Sequence, residues 1–563
     1  MNTNYVLLAF LLVLNIIFRI PWTPHGVDVV DSRFVWSLAN SISASGYIMW
    51  ALHPTSFFGL YPLSYPSGSP VALSISSQLT GVDVEYVILI FGFFLAILGM
   101  LGSYTMALKM WDNHLFAFFT SFAFSTAPIF IEYTRWTATS RNLFLSLFPL
   151  FLWTVFWFNK KDNYINKQLL LIIIILITLG SAHRLSFLLS LIFASYVLTK
   201  IIWHVKETPY VLKYSVKLSN NSRFFGLVLL WVLAFSLQFS GIGFYSGIWH
   251  DYQSGAFVEG TSLSTILLNL STNYIGHIGI MMPFGMIGFI MLLMKRNKDF
   301  NEIFIMGVVI FSTAILALGL YVSQFLLPFA SIFIALCICK LLELSQRIIE
   351  HQDLIKRKKA PALAIVIVIC LVTSIGFSCY MINRHMYAPL GDTGDKTWMT
   401  SDIPAVGSFL KEHGETVFLS NDWLMASRIY AATGVPTLGT EIHALINGWI
   451  EAEVLNINIL PWYSLNTNVD NIYRLNETLC VDNDVRIIYA EDYRNNESML
   501  VLNKYKIGLF VANNQLLGEL VGSNFNVRPS ASTKSVTNFG YRIYDNEKES
   551  VWLLRKNLEN KVR

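Results

Sequence analysis

Charged residues are scarce in this chain, and their scarcity separates it from ordinary soluble proteins. Only 13% of the 563 residues are Asp, Glu, Lys or Arg, against roughly 25% in a typical soluble domain. The formal net charge of +4 is too small to indicate a nucleic-acid-binding protein. The sequence therefore predicts no nucleic-acid partner.

Cysteine is also rare, with five residues in the whole chain. Four of the five lie in or near the end of apolar runs, and only Cys480 lies in a polar part of the sequence. A single cysteine cannot build a disulfide framework. Cys337 and Cys339 have no His or acidic companion, so we interpret them as small apolar residues rather than as a metal or redox pair.

Apolar residues, in contrast, are abundant: 54% of the chain is hydrophobic and the mean hydropathy is +0.51. A helix needs about 20 apolar residues to cross the ~30 Å core of a bilayer. The first run, Tyr5 to Ile20, lacks the basic start and the cleavage site of a signal peptide, and we interpret it as a retained span. The candidate spans are 4–20, 86–108, 113–132, 142–159, 167–183, 185–203, 224–243, 273–294, 302–321, 323–342 and 361–383.

Basic residues occupy alternate connections between these spans. One set of connections holds most of them, namely Lys109, Lys160, Lys161, Lys167, Lys200, Lys206, Lys213, Lys217, Arg223, Lys295, Arg296, Lys298, Arg347, Lys356, Arg357, Lys358 and Lys359, whereas the other set contains only Arg33, Arg135, Arg141 and Arg184. Lys and Arg gather on the cytoplasmic side of a membrane. The pattern predicts a multi-pass plasma-membrane protein with a cytoplasmic amino terminus and an extracytoplasmic carboxyl-terminal part.

That carboxyl-terminal part, residues 384–563, predicts a separate soluble domain after the membrane domain 1–383. Val417 to Ser420 has the pattern of a short buried strand, and Asp422 to Thr433 that of a helix ending at Gly434. Three further strands are predicted at 486–490, 507–511 and 551–554. Strands that alternate with helices indicate a small α/β domain.

The connection between the first two spans, residues 21–85, is far longer than a simple turn requires. It carries Asp28 and Asp31, which would share a face if the segment is helical. A carboxylate at the membrane surface is suited to act as a general base or to hold a divalent metal ion. No other cofactor is predicted. The alternative is that either Asp only caps a helix, with Arg33 as a surface partner.

Other connections on the same side carry positive charge. Arg135 and Arg141 lie between the third and fourth spans, and His183 and Arg184 form the turn between the fifth and sixth. Cations at the membrane surface are suited to a phosphate or pyrophosphate, to which Arg offers a two-pronged donor. Each arginine could instead extend its side chain to the membrane interface without binding a ligand. Several connections, however, place charge at the same depth in the membrane, and this favours a shared binding site. Further polar residues on this side are Glu132, His250 and Asp251.

A series of short motifs in the first 200 residues resembles a known family. Gly26-Val27-Asp28 follows the first span, and after an amphipathic stretch come Gly46-Tyr47, Tyr65-Pro66-Ser67-Gly68-Ser69-Pro70 and Leu79-Thr80-Gly81-Val82. Ala127 to Thr134 and Arg141 continue the series. Their order and topology resemble the C-type glycosyltransferase superfamily, multi-spanning enzymes that take a sugar from a polyprenyl-phosphate carrier. Among its members, the archaeal and other prokaryotic mannosyltransferase-like proteins, with donors such as dolichyl phosphate mannose, are the most similar.

The resemblance implies a fold, partners and site residues. The fold is a polytopic α-helical membrane domain of about 11 spans followed by a small extracytoplasmic α/β domain. The partners are a polyprenyl-phosphate-linked sugar, a glycan, lipid or protein acceptor, and the bilayer. Asp28, at the Gly-x-Asp position, is implied as the catalytic base or metal-holding residue, with Asp31 as the second choice. The donor phosphate is assigned to Arg135, Arg141, His183 and Arg184, and the groove and acceptor to Glu132, Tyr61, Tyr65, His250 and Asp251.

Two departures from the superfamily leave the acceptor open. The outer domain lacks the Trp-Trp-Asp-Tyr-Gly signature of oligosaccharyltransferases, and Asp28-Val29 stands where protein O-mannosyltransferases have an Asp-Glu pair. Two other functions also stay open: a polysaccharide polymerase or ligase acting on lipid-linked glycans, and a non-enzymatic transporter or scaffold. A transporter typically has internal repeats and polar groups at mid-membrane. We find no repeat between the halves, and the strongly polar residues near span centres are His277, Gln238 and Gln324.

Overall fold

The computed structural model of the protein consists of a helical bundle and a small α/β domain. The residues it describes are 3–21, 30–45, 59–60, 65–66, 68–158, 165–207, 271–272, 274–313, 321–350, 359–387, 389–390, 395–396, 402–413, 417–420, 423–435, 437–438, 496–504, 506–513, 540–546 and 549–554.

Besides a short helical segment at 274–278, the bundle and the connections of its first half contain thirteen helices in the described ranges, α1 to α13. They are α1 (Thr3–Arg19), α2 (Val30–Ser45), α3 (Gly68–Thr80), α4 (Val84–Met110), α5 (His114–Ser125), α6 (Pro128–Thr134), α7 (Ser140–Phe158), α8 (Ile165–Ala182), α9 (Leu189–Glu207), α10 (Met282–Met294), α11 (Phe300–Thr313), α12 (Tyr321–Glu350) and α13 (Lys359–Tyr387). A 3-10 helix, Arg184–Leu188, precedes α9, and two-residue strands β1 (Gly59–Leu60) and β2 (Tyr65–Pro66) pair between α2 and α3.

Helical structure is found at every predicted span except 224–243, which lies outside the described residues. By length and hydropathy, four of the described helices are suited to cross a membrane, and a bent pair makes a fifth candidate. Other apolar helices, such as Lys167–Ala182 and Met282–Met294, are shorter. The predicted total of eleven spans is therefore not confirmed and stays a prediction.

The surface of the bundle is apolar. Ile90, Phe94, Ile174, Ile290 and Val372 are each more than half exposed. Many large apolar side chains exposed on one bundle indicate contact with a membrane or another protein. Together with the long apolar helices, this surface indicates that the bundle is embedded in lipid.

The span predicted at 113–132 is not one straight helix but two, α5 and α6, with a bend of 64° between them. Pro128 is at the first turn of α6, where its missing N–H costs nothing and its ring prevents α5 from continuing. The break leaves carbonyls at the end of α5 without helical donors. The Arg19 side chain donates to Ser125 O at 3.2 Å, and Ser378 Oγ donates to Thr126 O at 2.7 Å.

The carboxyl-terminal domain is built on a mixed sheet. Its elements in the described ranges are the short hairpin β3 (Pro389–Leu390) and β4 (Asp395–Lys396), then α14 (Asp402–Glu412), β5 (Val417–Ser420), α15 (Trp423–Thr433), β6 (Thr437–Leu438), α16 (Asn496–Lys504), β7 (Ile507–Asn513), β8 (Gly540–Asp545) and β9 (Glu549–Leu554). The strand order is β6-β5-β7-β9-β8, with β6, β5 and β7 parallel and β9 antiparallel to its neighbours β7 and β8.

The sequence placed these elements well. The predicted strands at 417–420, 507–511 and 551–554 correspond to β5, β7 and β9, and the strand predicted at 486–490 lies outside the described residues. The predicted helix Asp422 to Thr433 corresponds to α15, after which Gly434 takes a φ of +72° that favours glycine. The boundary expected near residue 384 falls inside α13, which continues to Tyr387.

The α/β domain packs on one end of the bundle, which we name the domain end. A single apolar cluster joins α2, α3 and the start of α4 to α14, α15 and the sheet of the α/β domain. Val35 and Trp36 of α2, Val84 of α4, and Ile429 and Phe418 of the domain are all buried in it. The domain therefore continues the hydrophobic core of the membrane part.

Basic residues mark the opposite end of the bundle, which we name the far end. Helix α4, 27 residues long, reaches about 40 Å from the domain end to Lys109 at 1.5 Å per residue. There Trp111 Nε1 donates to Asp299 at 3.4 Å, Lys295 pairs with Glu302, and the Lys200 ammonium lies 4.9 Å from the Phe300 ring centroid.

Candidate active site at the domain end

The connection between α6 and α7, residues 135–139, forms the centre of the candidate site. Glu132 O accepts a hydrogen bond from Thr137 Oγ1 at 2.9 Å, and Asn142 Nδ2 donates to Thr137 O at 3.2 Å. Trp136 Nε1 donates to Glu85 O of α4 at 3.0 Å. These contacts, both within the loop and to α4, give it a defined conformation.

Helix α2 provides a further contact to this loop. The N–H of Ala138 donates to Ser32 Oγ at 3.0 Å, and Ser32 is fully buried. Ser32 directly follows Asp31 in the first turn of α2. The hydrogen bond therefore places the first turn of α2 beside the loop that carries Arg135.

Arg141 lies in the first turn of α7 and is half-buried. Its Nη1 donates to Tyr133 Oη at 2.7 Å, and its guanidinium carbon lies 5.3 Å from the centroid of the same ring. Gln324 Nε2 of α12 also donates to Tyr133 Oη, at 3.3 Å. The phenol thus accepts from two helices and fixes the orientation of the arginine.

Arg135 is more deeply buried than Arg141, with 5% of its surface exposed. Its backbone packs against α4, because a Cβ added to Gly92 would overlap the carbonyl oxygen of Arg135 and lie 2.7 Å from that of Thr134. The absence of a side chain at Gly92 allows this close approach.

Replacing Gly92 by alanine is expected to destabilise the protein by roughly 1–3 kcal/mol, because backbone atoms cannot move aside as a flexible side chain can. Gly180→Ala is the matched control, since no atom lies within 4 Å of the added Cβ there. That change should be neutral or stabilising by up to about 1 kcal/mol. Denaturant unfolding in detergent would compare them, and equal stability of the two variants would contradict the close packing of α4 on this loop.

His183 ends α8 and lies next to α7. Its Nδ1 accepts from the N–H of Leu185 at 3.0 Å, which places the proton of a neutral ring on Nε2. The ring is 3% exposed, and its centroid lies 6.3 Å from that of Phe144. Phe144 is one turn from Arg141 on α7, so the structure brings His183 close to the arginine's helix.

Arg19 is a buried cation that the sequence analysis did not assign to the site. It is fully buried, and its Nε and Nη2 donate to Thr134 Oγ1 at 3.1 and 3.0 Å. Its Nη1 donates to Asn15 Oδ1 at 2.8 Å. These acceptors are neutral and do not neutralise the charge of Arg19. That positive charge therefore lies next to Thr134, the residue that precedes Arg135. The spacing of Asn15 and Arg19, four residues apart in an apolar helix, is the sequence signal that indicates a shared polar face.

A second unassigned contact lies beside Gln324. His277, in a helical segment at 274–278, and Ser323 of α12 share a hydrogen bond of 2.6 Å between Nδ1 and Oγ. Polar contacts at the start of α12 therefore extend from His277 to the Tyr133 and Arg141 pair.

Several predicted site residues lie outside this description. Asp28, Tyr61, His250 and Asp251 are outside the described residues, and the side chains of Asp31, Tyr65 and Arg184 are not described, although their backbones lie in α2, β2 and the 3-10 helix. Glu132 is half-buried at the end of α6. Among the described residues, no three His, Cys, Asp or Glu side chains are placed to hold a metal ion.

Solved membrane proteins are similar to this chain over nearly its whole length. The oligosaccharyltransferase of Archaeoglobus fulgidus in its apo form gives a TM-score of 0.55 at 12% identity, covering 98% of this chain and 74% of that chain. ArnT from Cupriavidus metallidurans bound to undecaprenyl phosphate gives 0.53 at 12% identity, covering 98% of both chains.

A third structure, the arabinofuranosyltransferase AftD from mycobacteria, gives a TM-score of 0.52 at 14% identity, covering 98% of this chain and 40% of that chain. Neither a protein-family model nor the sequence of a curated protein matches this chain. The likeness is therefore one of fold.

Proposed function

This chain has the fold of the C-type glycosyltransferases, and from that premise we propose that it transfers a sugar from a polyprenyl-phosphate carrier to an acceptor at the domain end. One of the similar structures holds undecaprenyl phosphate and another holds a dolichol-phosphate with an inhibitory peptide. The observation that carries the proposal is Arg141, half-buried in the first turn of α7 and oriented by Tyr133, directly after a loop of defined conformation.

The arginines act on the leaving group. A sugar phosphodiester of a polyprenol carries one negative charge, and its phosphate gains a second when the bond to the sugar breaks. Donors already oriented toward that phosphate stabilise the developing charge without reorganising during the reaction. Arg141, together with the buried Arg135 and Arg19, provides positive charge at this end of the bundle.

The carboxylates act on the acceptor. The acceptor oxygen bonds to the anomeric carbon, its proton passes to Asp28 or Asp31, and the electron pair of the broken carbon–oxygen bond leaves with the polyprenyl phosphate. Asp28 is the first candidate, because it occupies the Gly-x-Asp position. If a divalent metal ion takes part, these same two carboxylates are its candidate ligands. Both carboxylates lie outside the side chains that the structure describes.

The orientation follows from the basic residues. Lys109, Lys200 and Lys295 lie at the far end, whereas the domain end has arginines within the site. By the positive-inside rule the far end is cytoplasmic. The donor and acceptor are therefore used on the extracytoplasmic side, where the α/β domain also lies.

Purified protein in liposomes, given radiolabelled polyprenyl-phosphate monosaccharides, would test the assignment of the base. Asp28→Asn should lower kcat by roughly a hundredfold to ten-thousandfold while the fold and lipid binding persist. Loss of activity in Asp31→Asn instead would move the role to Asp31. Activity that survives both changes would contradict a carboxylate base.

Removing one hydroxyl tests how the arginine is oriented. Tyr133→Phe keeps the ring but removes the acceptor for Arg141 and Gln324. A hydrogen bond to a charged group contributes about 1.5–3 kcal/mol, so we expect kcat/KM for the donor to fall roughly tenfold or more. Tyr104→Phe, which removes a 2.9 Å hydrogen bond to His114 at the far end, is the matched control. Equal activities of the two variants would exclude this role for Tyr133.

A polysaccharide polymerase or ligase is the second candidate, favoured by the Arg and His residues at the domain end. That class depends on arginine and histidine but needs no carboxylate from the first outer loop. It would lose activity in Arg141→Gln and keep activity in Asp28→Asn. The proposed glycosyltransferase, in contrast, should lose activity in both variants.

A further inference from the structure

Helix α2 is buried on more sides than an ordinary amphipathic helix. Val35, Trp36 and Ala39 are at most 3% exposed, as expected of its apolar face. The polar residues Ser32 and Ser37, however, are also at most 1% exposed. A surface helix leaves its polar face in water, so α2 must be covered from two directions.

The two covers are the bundle and the α/β domain. On the bundle side, Ser43 Oγ of α2 lies 2.9 Å from Ser74 Oγ of α3. On the domain side, Asn40 Nδ2 donates to Ala431 O of α15 at 2.6 Å. The apolar residues on both sides belong to one continuous cluster, which includes Leu73 of α3 and Ile429 of α15.

Both ends of α2 are therefore anchored, each to a different part of the protein. The first turn is bound through Ser32 to Ala138, in the loop between Arg135 and Arg141. The later turns are bound through Asn40 to the α/β domain. The helix has 16 residues and a length of about 24 Å, so a shift of α15 against the bundle would be carried by a rigid element to the first turn.

We infer that the α/β domain positions the first turn of α2 beside the loop that carries Arg135, with Asn40 as the positioning residue. Asp31 lies in the first turn of α2 and Asp28 just before it. The place of this first turn relative to the loop between Arg135 and Arg141 then depends on where α15 holds the helix. This role rests on the proposed function only for its effect on catalysis, because the contact between domain and helix stands without it.

The experiment compares two isosteric or nearly isosteric changes in the full-length protein. Asn40→Asp keeps the shape of the side chain but replaces the donor by a carboxylate oxygen that faces the carbonyl of Ala431. Ile429→Val removes one methyl group from the domain side of the same cluster and guards against a variant that fails to fold. Ser77→Ala is the control, since the 2.7 Å hydrogen bond from Ser77 Oγ to Val82 O joins two residues on the bundle side of the same region.

Hydrogen–deuterium exchange of the α2 amides and steady-state kinetics are measured on each protein. We expect exchange in α2 to become at least about tenfold faster in Asn40→Asp, with a smaller change in Ile429→Val and none in Ser77→Ala. The kcat should fall about tenfold while KM for the donor stays within about twofold, because the phosphate-binding arginines are not touched.

Two results would overturn the inference. Unchanged exchange in α2 of both Asn40→Asp and Ile429→Val would show that the domain does not hold the helix, whatever the activity. Faster exchange with an unchanged kcat would show that the hold has no catalytic role. A wild type without transfer activity would contradict the proposed function instead, and the exchange comparison would still decide whether the domain holds α2.

Discussion

Arg141→Gln should lower kcat/KM for a polyprenyl-phosphate sugar by roughly a hundredfold to a thousandfold, the loss typical of removing one oriented donor from a developing anion. Glutamine keeps a hydrogen-bond donor at the start of α7 but removes the charge, so the loss reports mainly on electrostatics. Steady-state transfer assays with radiolabelled donor in liposomes would measure it.

Two further variants make this result specific. Arg141→Lys keeps the charge but not the planar two-pronged donor, and should recover only part of the activity. Arg296→Gln removes an exposed arginine at the far end and should leave kcat/KM within about twofold, as exposed charges usually contribute little. Equal activities of Arg141→Gln and Arg296→Gln would contradict the assignment of Arg141 to the donor site.

Arg19→Ala should be the most destabilising single change at the domain end of the bundle. It removes hydrogen bonds to Thr134 Oγ1, Asn15 Oδ1 and Ser125 O and leaves a cavity in a fully buried position. The loss should be roughly 3–5 kcal/mol in the free energy of unfolding, as for other large buried side chains cut to alanine, with the orphaned acceptors adding to it.

Unfolding in detergent with urea or SDS would measure this loss, and Arg296→Ala provides the matched control at an exposed position. We expect that control to change the free energy of unfolding by less than about 0.5 kcal/mol. A stability of Arg19→Ala equal to that of the control would contradict the assignment of Arg19 to the break between α5 and α6.

Much of the fold follows from patterns that are local in the sequence. Apolar runs locate the helices because lipid or core contact requires them, and alternation of short strands with a helix located β5, α15 and β7. The resemblance to C-type glycosyltransferases, carried by loose motifs in a fixed order, is confirmed at the level of the fold.

The break in the third predicted span could have been foreseen in part. A proline such as Pro128 is favoured in the first turn of a helix, but a proline inside an apolar run also fits a kinked span, as Pro149 within α7 and Pro328 within α12 show. A broken helix differs from a kinked one in having a partner that donates hydrogen bonds to the carbonyls exposed at the break. For Ser125 that partner is Arg19, more than 100 residues away in the chain.

The candidate site, like the fold, could be predicted from local sequence patterns only in part. Arg135, Arg141 and His183 are predicted from charge on sparsely charged connections, and the structure places Arg141 in the first turn of α7 and His183 beside Phe144 of that helix. Their roles stay predictions. The contacts that orient Arg141, through Tyr133 and Gln324, join residues 191 positions apart. Tyrosine and glutamine in an apolar helix give no local sign of such a partner.

The role of the α/β domain was beyond the sequence for a similar reason. The amphipathic stretch that follows Arg33 and reaches Ile42 predicts one covered face. Residues after position 400 cover this helix, and the sequence pattern does not show it. The cover depends on the contact between Asn40 and Ala431, which lie 391 positions apart. Only the tertiary structure shows that one core spans the two predicted domains.

The most direct test of the central proposal is the donor class used by the wild-type protein. Purified protein in liposomes would be given polyprenyl-phosphate monosaccharides and the corresponding nucleotide sugars, each radiolabelled in the sugar, with release of polyprenyl phosphate measured alongside transfer. We predict turnover with at least one polyprenyl-phosphate sugar and none with nucleotide sugars. Turnover with nucleotide sugars alone, or with no donor of either class, would contradict the proposal that this fold uses a lipid-phosphate-linked sugar.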